Sequence, residues 1–126
     1  MSIPFAFADD VESVGVRQAH VAHLDGTYAT REQLFDALTR ALKLPGHFGR
    51  NWDALDECLR DLSWIDGHRV VLFHETLPAL GADATTTYLE ILRDAVLDWR
   101  SDLDDELVVG FRAELREAVV GHLSDA

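Results

Sequence analysis

The 126-residue chain is long enough for one ordinary domain and short for a second core, and its 48% hydrophobic and 27% charged residues suit independent folding. With 23 Asp and Glu against 11 Lys and Arg, its formal charge of −12 speaks against a free nucleic-acid binder and against docking on an anionic membrane, both of which need a basic surface. No apolar run approaches the ~20 residues of a membrane helix, and the lone Cys58 excludes an internal disulfide framework.

The start, MSIPFAFADDVE, has no positive n-region and turns acidic at Asp9, so no signal peptide is expected and the expected placement is cytoplasmic. Residues 1–17 show no sustained period and read as an N-terminal extension, partly ordered at best, with a single domain over 18–126. Gln18 to Leu24, closed by Asp25-Gly26, reads as a strand ending in a turn.

Thr30 to Leu44 predicts a helix. Thr30 and Gln33 have capping-box spacing, and Leu34, Phe35, Leu38, Ala41 and Leu42 form one apolar face. Pro45 cannot continue the hydrogen-bond ladder, so the helix stops near Lys43 or Leu44. The loop Pro45 to Arg50 then leads into a second helix, Asn51 to about Leu62, with Asn51 as N-cap. Val70-Val71-Leu72-Phe73 is a continuous apolar run and predicts a strand buried on both faces. Ala84 to Trp99 predicts a third helix, although the spacing of Thr87 and Glu90 allows a later start. Leu107 to Phe111 reads as a third strand and Glu114 to Leu123 as a closing helix. Strands alternating with helices imply an α/β domain with a mostly parallel sheet.

The stretch Pro45 to Leu62, PGHFGRNWDALDECLRDL, is the informative one. Trp52, Leu55, Leu59 and Leu62 make one apolar stripe, bordered by Cys58. The other side carries Asp53, Glu57 and Asp61 at four-residue intervals, with Asp56 beside them; residues 51–66 hold five acids against one base, Arg60. The helix dipole favours Asp53 in the first turn. Glu57 and Asp61 gain nothing similar, and like charges four apart cost about 0.2–0.5 kcal/mol per pair. Such a face is either a solvated surface or a charge presented to a basic partner. Before it, His47 and Phe48 lie between Gly46 and Gly49, glycines that allow a sharp turn. Phe48 reads equally as a core plug or as an aromatic contact.

The run LPGHFGRNWDALDECL, Leu44 to Leu59, resembles the signature of the barstar family, intracellular inhibitors of barnase-type ribonucleases. That pattern is roughly L-P-x-aromatic-aromatic-G-x-N-hydrophobic-D-A-L-x-D-C-L, and the resemblance extends from the strand near Gln18 to that near Phe111. It implies a small three-stranded parallel sheet packed with helices, and a second helix that, with the loop before it, plugs a ribonuclease active site. By position, Asp53 would face the enzyme's catalytic or phosphate-binding cations. Glu57 would take the place of the family aspartate that mimics an RNA phosphate. His47 and Phe48 would stand for two contact aromatics, Gly49 and Asn51 would shape the helix entrance, and Asp56 and Asp94 would lie nearby. The partner implied is a basic, secreted, guanyl-preferring ribonuclease bound 1:1 by a monomer, without nucleic acid, membrane or cofactor.

Three positions depart from the pattern. Glu57 replaces aspartate, which moves its carboxylate out by about one C–C bond, ~1.5 Å. His47 replaces tyrosine and brings a ring that titrates near neutral pH. Asp56 stands where some members carry an aromatic.

The six histidines do not compose an enzyme. His20 and His23, three apart on a strand, point to opposite faces, and His68 and His74 flank another strand at ends roughly 20 Å apart. There is no phosphate loop, nucleophile elbow or His-Glu-x-x-His helix. Cys58, inside a helix beside acids, has the wrong surroundings for a nucleophile. No metal site is expected. The competing function is an acidic interaction module for a different basic protein, such as a non-ribonuclease toxin or a transcription component.

Overall fold

The computed structural model describes residues 3–15, 18–46, 48–65, 69–99 and 105–124. In chain order the elements are β1 (Ala6–Ala8), a 3-10 turn (Glu12–Val14), β2 (His20–Leu24), α1 (Arg31–Leu42) and α2 (Trp52–Asp61). They continue with β3 (Arg69–His74), α3 (Ala82–Trp99), β4 (Glu106–Arg112), a second 3-10 turn (Ala113–Leu115) and α4 (Arg116–Ser124). The fold is α/β, as expected, with a wholly parallel sheet in the order β1-β4-β3-β2.

The sheet has four strands rather than three. The fourth is β1, from the segment read as an extension: Ala6, Phe7 and Ala8 pair with Gly110, Phe111 and Arg112. Three residues carry too little pattern to announce a strand. What holds this one is tertiary, since the Phe5 and Phe7 rings lie 5.3 and 6.1 Å from that of Phe111.

Alternation along the strands sends Ala22, Leu24, Val70, Leu72, Leu107, Val109 and Phe111 into one core with the apolar faces of the helices. On that face α1 packs on β2 and α3 on β4, while α2 and α4 each pack on α3. Val71 and Phe73 are also buried, which explains the unbroken apolar run of β3. Because β1 and β2 occupy opposite edges, their connection passes from one edge to the other. Val14, within it, lies over Gly110 on the face away from the helices. A side chain at Gly110 would begin 2.9 Å from Phe73 Cδ1, so the close approach there requires glycine.

The helix boundaries follow their caps. Thr30 Oγ1 accepts from the Gln33 N–H at 3.1 Å, as in a capping box, while Gln33 Oε1 reaches one residue past the cap and accepts from the Ala29 N–H at 2.8 Å. Lys43 and Leu62 close α1 and α2 in left-handed conformation with φ of 53° and 51°. α3 begins at Ala82, earlier than expected: Thr87 Oγ1 donates back to the Asp83 carbonyl at 3.0 Å, so this threonine lies inside the helix.

His74 is fully buried and fully partnered. The Gly110 carbonyl can only accept, so Nδ1 carries the proton (2.9 Å), and Nε2 accepts from the Tyr88 hydroxyl (2.7 Å). Burial pushes its pKa down to about 4.

Candidate functional site

The loop before α2 is fastened to α1. Phe48 is buried and its ring meets that of Phe35 edge-on at 5.6 Å; Trp52, at the start of α2, meets the same ring at 5.3 Å. Of the two readings of Phe48, the geometry gives the core plug, since little of its ring is left for a partner. The turn does not use its glycines as expected. Neither Gly46 nor Gly49 has positive φ; the left-handed residue is Arg50, at 53°. At Gly49 a Cβ would meet Asn51 Nδ2 and Ala54 Cβ at 3.4 and 3.5 Å, ordinary van der Waals contact at the helix entrance. Asn51 Oδ1 caps α2 by accepting the Ala54 N–H at 2.8 Å. His47 lies outside the described residues.

Along α2, Leu55, Cys58 and Leu59 are buried, and Asp53 and Glu57 are exposed on the opposite side. Among the described residues no cation pairs with either carboxylate. Asp61, one turn further on, accepts the Ser63 N–H at 3.3 Å. Burial pushes the Cys58 thiol pKa up, and the charges of Asp61 and Glu57 add to it; this cysteine is a core residue.

Asp56 and Asp94 belong to a separate cluster. Arg60 Nε donates to Asp56 Oδ1 at 3.0 Å, while its Nη1 lies 3.4 Å from Asp98 Oδ1 on α3. The Asp56 hydrogen bond, followed by the charges of Asp56, Asp98 and Asp94, holds the Arg60 pKa above its ordinary value. Asp94 itself is exposed and accepts from Arg93 Nε at 3.1 Å. The Asp56–Arg60 pair was visible as an i, i+4 spacing; its extension across to α3 was not. The sequence also hid the Trp99 indole, which donates to the Leu59 carbonyl at 2.7 Å and ties α3 to α2.

The seven candidate positions among the described residues therefore divide. Gly49, Asn51, Asp53 and Glu57 form a continuous exposed edge of loop and helix, Phe48 supports it from beneath, and Asp56 and Asp94 flank it around Arg60. This arrangement can present fixed negative charge to a basic surface. Among the described residues, no group of three or more His, Cys, Asp or Glu side chains is placed to hold a metal ion. No described helix is long and apolar enough to cross a membrane.

The profile of the barstar (barnase inhibitor) family matches residues 19–114, a span that runs from the start of β2 to the turn after β4 and includes the whole loop–α2 edge. A comparison with curated proteins returns no match.

Proposed function

The chain belongs to the barstar family, and from that premise we propose that it inhibits a barnase-type ribonuclease by occluding its active site with α2 and the loop before it. The observation that carries this reading is the exposed pair Asp53 and Glu57, which among the described residues have no cation of their own. A ribonuclease collects Arg, Lys and His around the scissile phosphate. An acidic helix can fill such a site as a polyanion while offering no bond to cleave. Opposite charges also speed encounter, so binding on this reading is salt-dependent.

In the proposed complex Asp53 faces the catalytic or phosphate-binding cations, and Glu57, one carbon longer than aspartate, stands for the RNA phosphate. His47 contacts the partner, Gly49 and Asn51 shape the helix entrance, and Phe48 holds the loop in place. Asp56 and Asp94 act at the periphery with Arg60. The chain itself catalyses nothing; it acts as a cytoplasmic monomer, 1:1, and protects the cell from its own secreted nuclease.

The test is an RNA-cleavage assay in which the purified protein is titrated into a barnase-type ribonuclease at low and high salt. Stoichiometric inhibition that weakens with salt supports the proposal. Undiminished cleavage sinks it and turns attention to an acidic module for another basic protein.

A further inference from the structure

Arg50 is the only Lys or Arg between Lys43 and Arg60, and it sits in the loop proposed to enter a cation-lined cleft. A free guanidinium there opposes the negative charge of Asp53, three residues on. In this chain it is turned away. Arg50 Nη2 donates to Asp36 Oδ1 at 2.7 Å and, more weakly, to the Glu32 carbonyl at 3.4 Å, both on α1. The attachment fits a wider pattern, in which alternate residues of the loop and helix entrance are held by two consecutive residues of α1. Phe35 takes the rings of Phe48 and Trp52, and Asp36 takes Arg50.

The pair is too open to matter much for folding. The side chains of Arg50 and Asp36 are 44% and 57% exposed, and exposed ion pairs contribute little stability. Phe48 and Trp52 already anchor the loop by burial. What the ion pair changes is where a positive charge is located and whether it is neutralised.

We propose that Asp36 is a charge-masking residue for the inhibitory edge: it draws the Arg50 guanidinium onto α1 and keeps that cation from repelling a basic partner. This rests on the ribonuclease-inhibitor reading. It assigns a role in binding to a residue on α1, a helix outside the inhibitory edge itself.

Inhibition of a barnase-type ribonuclease by the wild type, D36N, R50N and D36N/R50N, at low and high salt, tests it. Asparagine is chosen at position 50 because it tolerates the left-handed backbone. D36N should bind roughly fivefold more weakly at low salt, the scale of one exposed charge interaction, with a smaller deficit at high salt. R50N should bind at least as well as the wild type, and D36N/R50N should recover wild-type affinity. If the wild type inhibits and D36N matches it, masking is overturned while the inhibitor reading stands. If the double variant stays as weak as D36N, masking is again overturned, because Asp36 then holds the loop rather than hides a charge. A wild type that does not inhibit overturns the inhibitor reading and the masking role with it.

Discussion

The indole N–H of Trp99 reaches from the last turn of α3 to the carbonyl oxygen of Leu59, 2.7 Å away on α2. It satisfies a carbonyl near the end of α2, where helical partners run out, and fixes the acidic helix against α3 close to the Arg60–Asp98 contact.

Trp99→Phe keeps much of the apolar ring and removes only the donor. It should cost about 1 kcal/mol of stability, the net value of one hydrogen bond plus a poorly solvated carbonyl. Denaturant melts of the two proteins check this. A midpoint unchanged within error would mean that water replaces the indole and that α2 does not depend on the tie.

His74 makes a second, pH-dependent prediction. Its folded pKa, about 4, lies below the 6.5 of an unfolded histidine because burial disfavours the charged ring. Above 6.5 the ring is neutral in both states and its contacts contribute in full. As pH falls from 6.5 towards 4 the unfolded chain takes up a proton that the folded chain refuses, so stability is lost, up to about 3 kcal/mol by linkage. Unfolding free energies between pH 7 and pH 4 measure the slope, and His74→Gln should flatten it relative to the wild type. Equal slopes would remove His74 from the acid sensitivity.

Much of this was legible because it is local. Thr30 with Gln33, and Asn51 ahead of an apolar stripe, mark helix starts through bonds spanning only a few residues. The apolar run of β3 reports burial on both faces, and the acidic side of α2 is visible as spacing. What escaped depends on distant partners. β1 exists because Ala6 finds Gly110, and Phe48 becomes a plug because Phe35 is there to receive it. The Thr87–Glu90 spacing imitated a cap, but Thr87 bonds backward to Asp83 instead. Within the candidate site the sequence grouped Asp56 with Asp53 and Glu57; in the structure Arg60 Nε occupies Asp56, and what no spacing announces is that the same guanidinium also reaches Asp98 on α3.

The burial of Phe48 separates fold from contact. Phe48→Ala should cost about 3–5 kcal/mol of stability, the range for emptying a buried aromatic site. Phe48→Leu should cost much less and leave inhibition of a ribonuclease nearly intact. Thermal melts and inhibition titrations on both variants check this. A leucine variant as stable as the wild type but without inhibition would return Phe48 to the contact surface.

Gly110→Ala places a methyl group 2.9 Å from Phe73 Cδ1 in the sheet, with Val14 Cγ2 at 3.4 Å above it. Phe73 is fully buried and has little room to give way, so overpacking should cost about 1–3 kcal/mol. The companion change Phe73→Leu, by removing the ring edge, should recover part of the loss, as a double-mutant cycle would show. Strictly additive effects would place the strain elsewhere.

Asp53 and Glu57 carry the sharpest expectation for function. Both are exposed and, among the described residues, take part in no ion pair, so neither is tied to a partner in the fold, and Asp53 gains only its first-turn position on the helix dipole. Asp53→Ala and Glu57→Ala should melt within about 0.5 kcal/mol of the wild type, as surface changes do. Relief of the repulsion between them favours the variants slightly. On the inhibitor reading each should weaken ribonuclease binding tenfold or more, and Asp53→Lys or Glu57→Lys further still; that scale comes from charged hot spots in interfaces, those of this family included, rather than from this chain. Asp56→Ala is the internal control. It breaks the bond to Arg60, which keeps Asp98, and should change affinity far less than either neighbour. Titrating the set into the ribonuclease at one salt concentration ranks them directly. Asp53→Ala and Glu57→Ala variants that inhibit as well as the wild type would move the binding surface off α2.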